Sequence, residues 1–101
     1  MSARTLQLPR LVAGRDFADD LVDSLRLEPG AEVVVDAGEL LSGTPSFAAE
    51  LVDRVLVAGQ AGSLLLLDAP ADFADYISAA AGDLGVAGKL IIRRAAARNA
   101  G

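Results

Sequence analysis

The chain has 101 residues, 52% of them apolar and 23% charged, with a net charge of −5 and neither cysteine nor histidine. That length suits one domain around a single core, and the apolar and charged shares are those of a globular chain rather than a disordered one. Disulfides, thiol nucleophiles and thiolate metal sites are excluded, and the commonest general base and transition-metal ligand are missing. No cofactor, no metal and no catalysis are therefore expected.

No apolar run approaches the roughly 18 residues that span a bilayer, and the start, "MSARTLQLPRLVAGRDF", has no apolar core of the kind a secretory signal carries. The expectation is a cytoplasmic protein with no membrane contact. Its charge is lopsided. Residues 16–83 hold fourteen acidic side chains against two basic ones, Arg26 and Arg54. The flanks hold only basic ones: Arg4, Arg10, Arg15, Lys89, Arg93, Arg94 and Arg98. An acidic body repels phosphate over most of its surface, so nucleic acid is not the expected partner. The basic end reads as a solvated tail, with docking to an acidic partner or a neighbouring subunit as the sharper alternative.

In chain order, "TLQLP" (5–9) alternates and ends in proline, which predicts an edge strand. Phe17, Leu21, Val22 and Leu25 then form one helical face, with Asp16, Asp19, Asp20 and Asp23 turned to solvent. After Pro29 and Gly30, "EVVVDA" (32–37) is a continuous apolar run, as expected of a parallel strand covered on both faces. A second helix carries Phe47, Leu51, Val52, Val55 and Leu56 on one side and stops at "GQAG" (59–62). "SLLLLDA" (63–69) is the next buried strand. A third helix carries Phe73, Ile77, Ala80, Ala81 and Leu84 before "GVAG" (85–88), and "KLIIR" (89–93) is the last strand.

The order β-α-β-α-β-α-β predicts a single small α/β domain, a mainly parallel four-stranded sheet packed with helices through right-handed crossovers. The domain spans 1–101, with its core at about 5–93 and a flexible basic tail at 94–101. "DFADDLVDSL", "SFAAELVDRVL" and "DFADYISAA" echo one another, with their phenylalanines 30 and then 26 residues apart. The plain explanation is one large anchor per strand–helix unit.

Asp36 and Asp68 each close an apolar strand, at the sheet edge where open parallel sheets bind ligands. Two acids with no third ligand make a weak site, and such residues more often hold a turn. Thr44 followed by Pro45 is a helix start, Thr at the N-cap and Pro at the first helical position. Ser42, Thr44 and Ser46 would gather at the positive end of that helix, which tolerates an anion. No glycine-rich phosphate loop with a lysine is present. An alternative function is nonetheless a small-ligand or anion sensor using Asp36, Asp68 and the helix start at Thr44.

The stretch "VVVDAGELLSGTPSFAAEL" (33–51) resembles the STAS-like domain family, relatives of anti-sigma factor antagonists and of sulfate-transporter STAS domains. Members tend to show an apolar strand ending in Asp, a short loop, three small hydroxyl residues, and Phe-Ala-x-Glu-Leu. Here Asp36 matches the strand end, Thr44, Pro45 and Ser46 the triplet, and Phe47, Ala48, Glu50 and Leu51 the helix start. The likeness is tightest over 36–51 and extends loosely to 93. It implies a non-enzymatic regulatory module, in a partner-switching pathway, whose partner is an ATPase-fold serine kinase or anti-sigma factor. Asp36, Ser42, Thr44, Ser46 and Glu50 would form the partner surface. It also implies a phosphorylated Ser or Thr at the helix start, adding about −1.5 to −2 charge to the docking surface. The matching position is Pro45, which has no hydroxyl, so Thr44 and Ser46 beside it are the remaining candidates. Self-association as a homodimer is compatible with the oppositely charged ends.

Overall fold

A computed structural model describes residues 3–94. Four strands, β1 (Ala3–Gln7), β3 (Glu32–Asp36), β5 (Ser63–Leu67) and β6 (Leu90–Arg93), form one sheet in the order β1-β3-β5-β6, every pair parallel. A second, two-stranded parallel sheet joins β2 (Leu11–Val12) to β4 (Ser42–Gly43). The helices are α1 (Arg15–Leu25), α2 (Pro45–Val52) and α3 (Ala71–Asp83). The small α/β domain with a four-stranded parallel sheet is thus the one its sequence predicts. No helix among the described residues is long and apolar enough to cross a membrane.

Each crossover moves the chain one strand along the sheet in the same direction. Crossovers of one hand then place all the helices on one side, and α2 accordingly packs against both α1 and α3. Strand burial agrees. Val33, Val35, Leu64 and Leu66 are wholly buried beneath the helices, whereas the alternate residues Val34, Leu65 and Leu67 are half-buried and Thr5 and Gln7 exposed. This corrects the expectation of strands covered on both faces. A continuous apolar run fills whichever face the helices take and also puts aliphatic side chains on the other, so it does not report how many faces are covered. "KLIIR" is corrected in the same way. Its strand starts at Leu90 and forms the sheet edge opposite β1, with Ile91 45% and Ile92 40% exposed.

The three echoed phenylalanines occupy one structural position. Phe17, Phe47 and Phe73 are each the third residue of their helix. Their rings form a row across the helix layer, with centroids 5.8 Å apart from Phe17 to Phe47 and 6.1 Å from Phe47 to Phe73, tilted by 45° and 40°. Tilted rings at this spacing attract beyond their simple burial. Phe47 and Phe73 are buried, and Phe17, at the end of the row, is half-buried.

Some boundaries differ from the periodic reading. α1 ends at Leu25, where Arg26 turns left-handed (φ 52°) and its N–H bonds the Asp23 carbonyl, before Pro29 and Gly30 are reached. Leu84 caps α3 and is 42% exposed rather than part of its buried stripe. α2 continues into a π-helical stretch, Asp53–Ala58, that still turns Val55 and Leu56 inward. The tail expected at 94–101 lies outside the described residues, apart from Arg94.

Replacing Phe47 by Ala removes the middle ring of the row. By urea or thermal denaturation it should cost about 3–5 kcal/mol, and clearly more than Phe17→Ala at the half-buried end. Equal costs would show that the row is not the anchor of the helix layer.

Candidate functional site

At the carboxyl ends of β1 and β3 the chain builds a small second layer. The Leu8 N–H bonds the Asp36 carbonyl (2.9 Å), which extends the pairing by one step before Pro9 ends it. The carbonyl of Arg10 then accepts from both the Leu41 N–H (2.7 Å) and the Ser42 N–H (3.1 Å), and the Thr44 N–H bonds the Val12 carbonyl (3.2 Å). These contacts draw loop 37–44 over β2. Gly43 makes the close approach feasible: a Cβ there would stand 2.6 Å and 2.8 Å from two ring carbons of Phe73 and 3.0 Å from Val12 Cγ2.

Thr44 is the node of this region. It is the N-cap of α2 with Pro45 at the first helical position, as predicted. Its Oγ1 accepts from the Phe47 N–H (3.2 Å) and also from the Gly14 N–H (3.4 Å) at the start of α1. One hydroxyl therefore satisfies backbone donors at two helix starts. A hydroxyl has two acceptor lone pairs and one proton. With both lone pairs taken, Thr44 donates its proton to the Ser46 Oγ (3.3 Å). Ser46, which is exposed, keeps its own O–H for solvent.

The acidic strand ends do come together. A Cβ on Gly38 would lie 3.1 Å from Asp36 Oδ1, 3.9 Å from Asp68 Cβ and 4.0 Å from Asp68 Oδ2. The Asp36 Oδ1 accepts from the Gly38 N–H (2.9 Å), the two-residue turn that Asp favours. Asp68 adopts a left-handed backbone (φ 60°) and its N–H bonds the Arg93 carbonyl (2.9 Å). It does not repeat the cap seen at Thr44, because the N-cap of α3 is Pro70 with no side-chain bond. Among the described residues no group of three or more acidic side chains could hold a metal ion.

Glu50 faces α1. Its Oε1 pairs with Arg15 Nη1 (2.9 Å), and its carboxyl neighbours that of Asp19. Asp19 pairs with Arg54 Nη1 (2.9 Å), whose Nη2 reaches Asp23 (2.5 Å). Five side chains thus tie α1 to α2 and its π-helical continuation. Hydrogen-bonding interaction with the neighbouring Asp19 carboxyl, with desolvation, pushes the Glu50 carboxyl above its ordinary range. The same interaction with Glu50, with help from Arg54, holds Asp19 below its own.

Of the five predicted partner-surface residues, Ser42 and Ser46 are exposed, Asp36 and Thr44 are half-buried and hold turns, and Glu50 is half-buried in the α1–α2 ion chain. What periodicity missed is apolar. Leu11, 66% exposed, lies in β2 paired with Ser42, and Leu41, 71% exposed, immediately precedes Ser42 with its N–H on the Arg10 carbonyl. The available signal was two leucines in segments too short to belong to any predicted element. No protein-family model matches the chain, and no curated protein and no solved structure is significantly similar to it.

Thr44→Ala leaves two backbone donors without their acceptor and should cost about 1–2 kcal/mol by denaturation. Serine at 44 should recover most of this, and a cost below that of an exposed control such as Ser78→Ala would refute the node. For Glu50, a raised folded pKa means stability that is present in acid and lost as pH rises above the ordinary value of 4.5. Glu50→Gln cannot acquire that charge. Its melting temperature relative to the native chain should therefore rise between about pH 4 and about pH 7. A flat or falling difference would contradict the raised Glu50 carboxyl beside Asp19.

Proposed function

We propose that this chain is a non-enzymatic protein-interaction module that docks a protein partner through the loop and helix start at 42–51, together with Leu11 and Leu41 beside them. The carrying observation is the exposure of those two leucines, 66% and 71%, on the edge that also displays Ser42 and Ser46. Exposed apolar side chains beside polar, solvent-accessible ones match the apolar centre and polar rim of a docking surface. The resemblance of 33–51 to STAS-like domains supports the same surface. It also names a partner class, an ATPase-fold serine kinase or an anti-sigma factor, within a partner-switching pathway in the cytoplasm.

On this reading Ser46, rather than Thr44, is the residue open to a regulatory phosphate. Its O–H is free, it is exposed, and it sits in the first turn of α2 where negative charge is tolerated. A phosphate on Thr44 would instead displace the hydroxyl that both helix starts use. The small-ligand alternative has less support, since the Asp36 Oδ1 and the Thr44 hydroxyl both accept from backbone N–H groups.

The test is a binding titration against the ATPase-fold serine kinases and anti-sigma factors of the same genome. Leu41→Asp and Ser46→Asp should each weaken binding about tenfold or more. Folding stability should change by no more than about 0.5 kcal/mol for the first, an exposed site, and be unchanged or slightly raised for the second. Undiminished binding by both variants, or no binding by the native chain, would sink the proposal.

A further inference from the structure

At the end of the helix layer away from the docking edge, a cleft of about 250 Å³ opens between the close of α1 and the π-helical stretch that follows α2. Residues 16–83 contain fourteen acidic side chains and two basic ones, and the structure brings both basic ones, Arg26 and Arg54, to this cleft. The backbone on each side of it is unusual. Arg26 is left-handed (φ 52°), a conformation that few residues other than glycine adopt. Arg54 lies in the π-helical stretch, a form that is rare and frequent at functional sites. A Cβ on Gly59 would overlap the Arg54 carbonyl oxygen and stand 2.9 Å from Leu27 Cδ1. Glycine there lets the π turn close and lets Leu27 lie against bare backbone as part of an apolar wall. Arginine at a helix end eases the helix dipole, and Arg54 ties two helices, but neither duty requires both guanidiniums in one cleft.

We propose that the cleft binds a small aliphatic monocarboxylate, its head group bridging Arg26 and Arg54 and its hydrocarbon chain lying on Val22, Leu27 and Ala58. Guanidinium forks suit the two oxygens of a carboxylate. Asp23 already places such a group there: its carboxylate lines the cleft, is 65% exposed, and accepts from Arg54 Nη2 (2.5 Å). An ion pair this open to water is weak, so a free carboxylate can take its place. Arg54 Nη1 meanwhile stays on Asp19 (2.9 Å), which keeps the guanidinium oriented while Nη2 changes partner. The acids of α1 make the surroundings negative, and that selects a singly charged head group over a phosphate dianion. The volume is that of roughly eight waters, which suits an acid of about eight non-hydrogen atoms.

A ligand of this size is held modestly. Titration with hexanoate, followed through the backbone amide resonances, should shift Arg26, Leu27, Ala58 and Gly59 and saturate with a midpoint of about 1 mM. Hexanol and hexylammonium, of the same length without the negative charge, should leave those resonances in place. Arg26→Gly keeps the left-handed backbone and should not lower stability, yet it should weaken hexanoate binding about tenfold. Asp23→Asn removes the internal competitor at an exposed position and should tighten binding roughly threefold. No saturable shift by about 20 mM hexanoate, equal shifts with hexanol or hexylammonium, or affinity unmoved by both variants overturns the proposal. If Arg26→Gly alters the fold, Asp23→Asn decides. Leu41→Asp should leave hexanoate binding unchanged, so this site and the docking edge fail separately.

Discussion

Every strand of the main sheet is followed in space by the next one in sequence, and this single topological constraint organises the molecule. Crossovers of one hand to successive neighbours stack α1, α2 and α3 in one layer on one side. All three helices then start at the same edge of the sheet, and the third residue of each can meet its counterpart next door. Phe17, Phe47 and Phe73 do so. The same constraint leaves the opposite face without a helix, and only one side of each apolar strand is sealed from water.

Because the helix starts are aligned, their unsatisfied backbone donors lie close together, and one hydroxyl can serve two of them. Thr44 does this for α1 and α2, and the ion chain from Arg15 through Glu50, Asp19 and Arg54 to Asp23 ties the same two helices. Exposed ion pairs contribute little each, whereas an unmet buried donor is costly, so the hydroxyl matters more to the fold than the charges around it. Function and stability thereby separate. Thr44, Asp36 and Glu50 hold turns and helices together, while Leu11, Leu41, Ser42 and Ser46 point outward with little structural duty. A surface made of the second group can change its charge without loosening the domain.

Much of this was legible in the residues. Valine and leucine runs placed β3 and β5, the alternation in "TLQLP" placed β1 at an edge, and Thr44 with Pro45 placed the start of α2. The paired role of Thr44 was not legible, because its second partner, Gly14, is thirty residues away. The β2–β4 pair was missed because two residues carry no period, and the edge position of β6 because Ile91 and Ile92 look the same in sequence whether covered or bare. The one-sided sheet follows from strand order, which no local pattern encodes. The turn-holding role of Asp36 was foreseen, since aspartate at a strand end commonly bonds the backbone two residues on.

The account stands on a sheet with one sealed face and one bare one. Methyl nuclear magnetic resonance of dilute protein with a soluble paramagnetic probe reads this directly. The methyls of Ile91 and Leu65 should broaden toward the level of exposed Leu11 and Leu41, while those of Val33, Val35, Leu64 and Leu66 remain sharp. Protection of Ile91 and Leu65 equal to that of Leu66 in the dilute chain would contradict it.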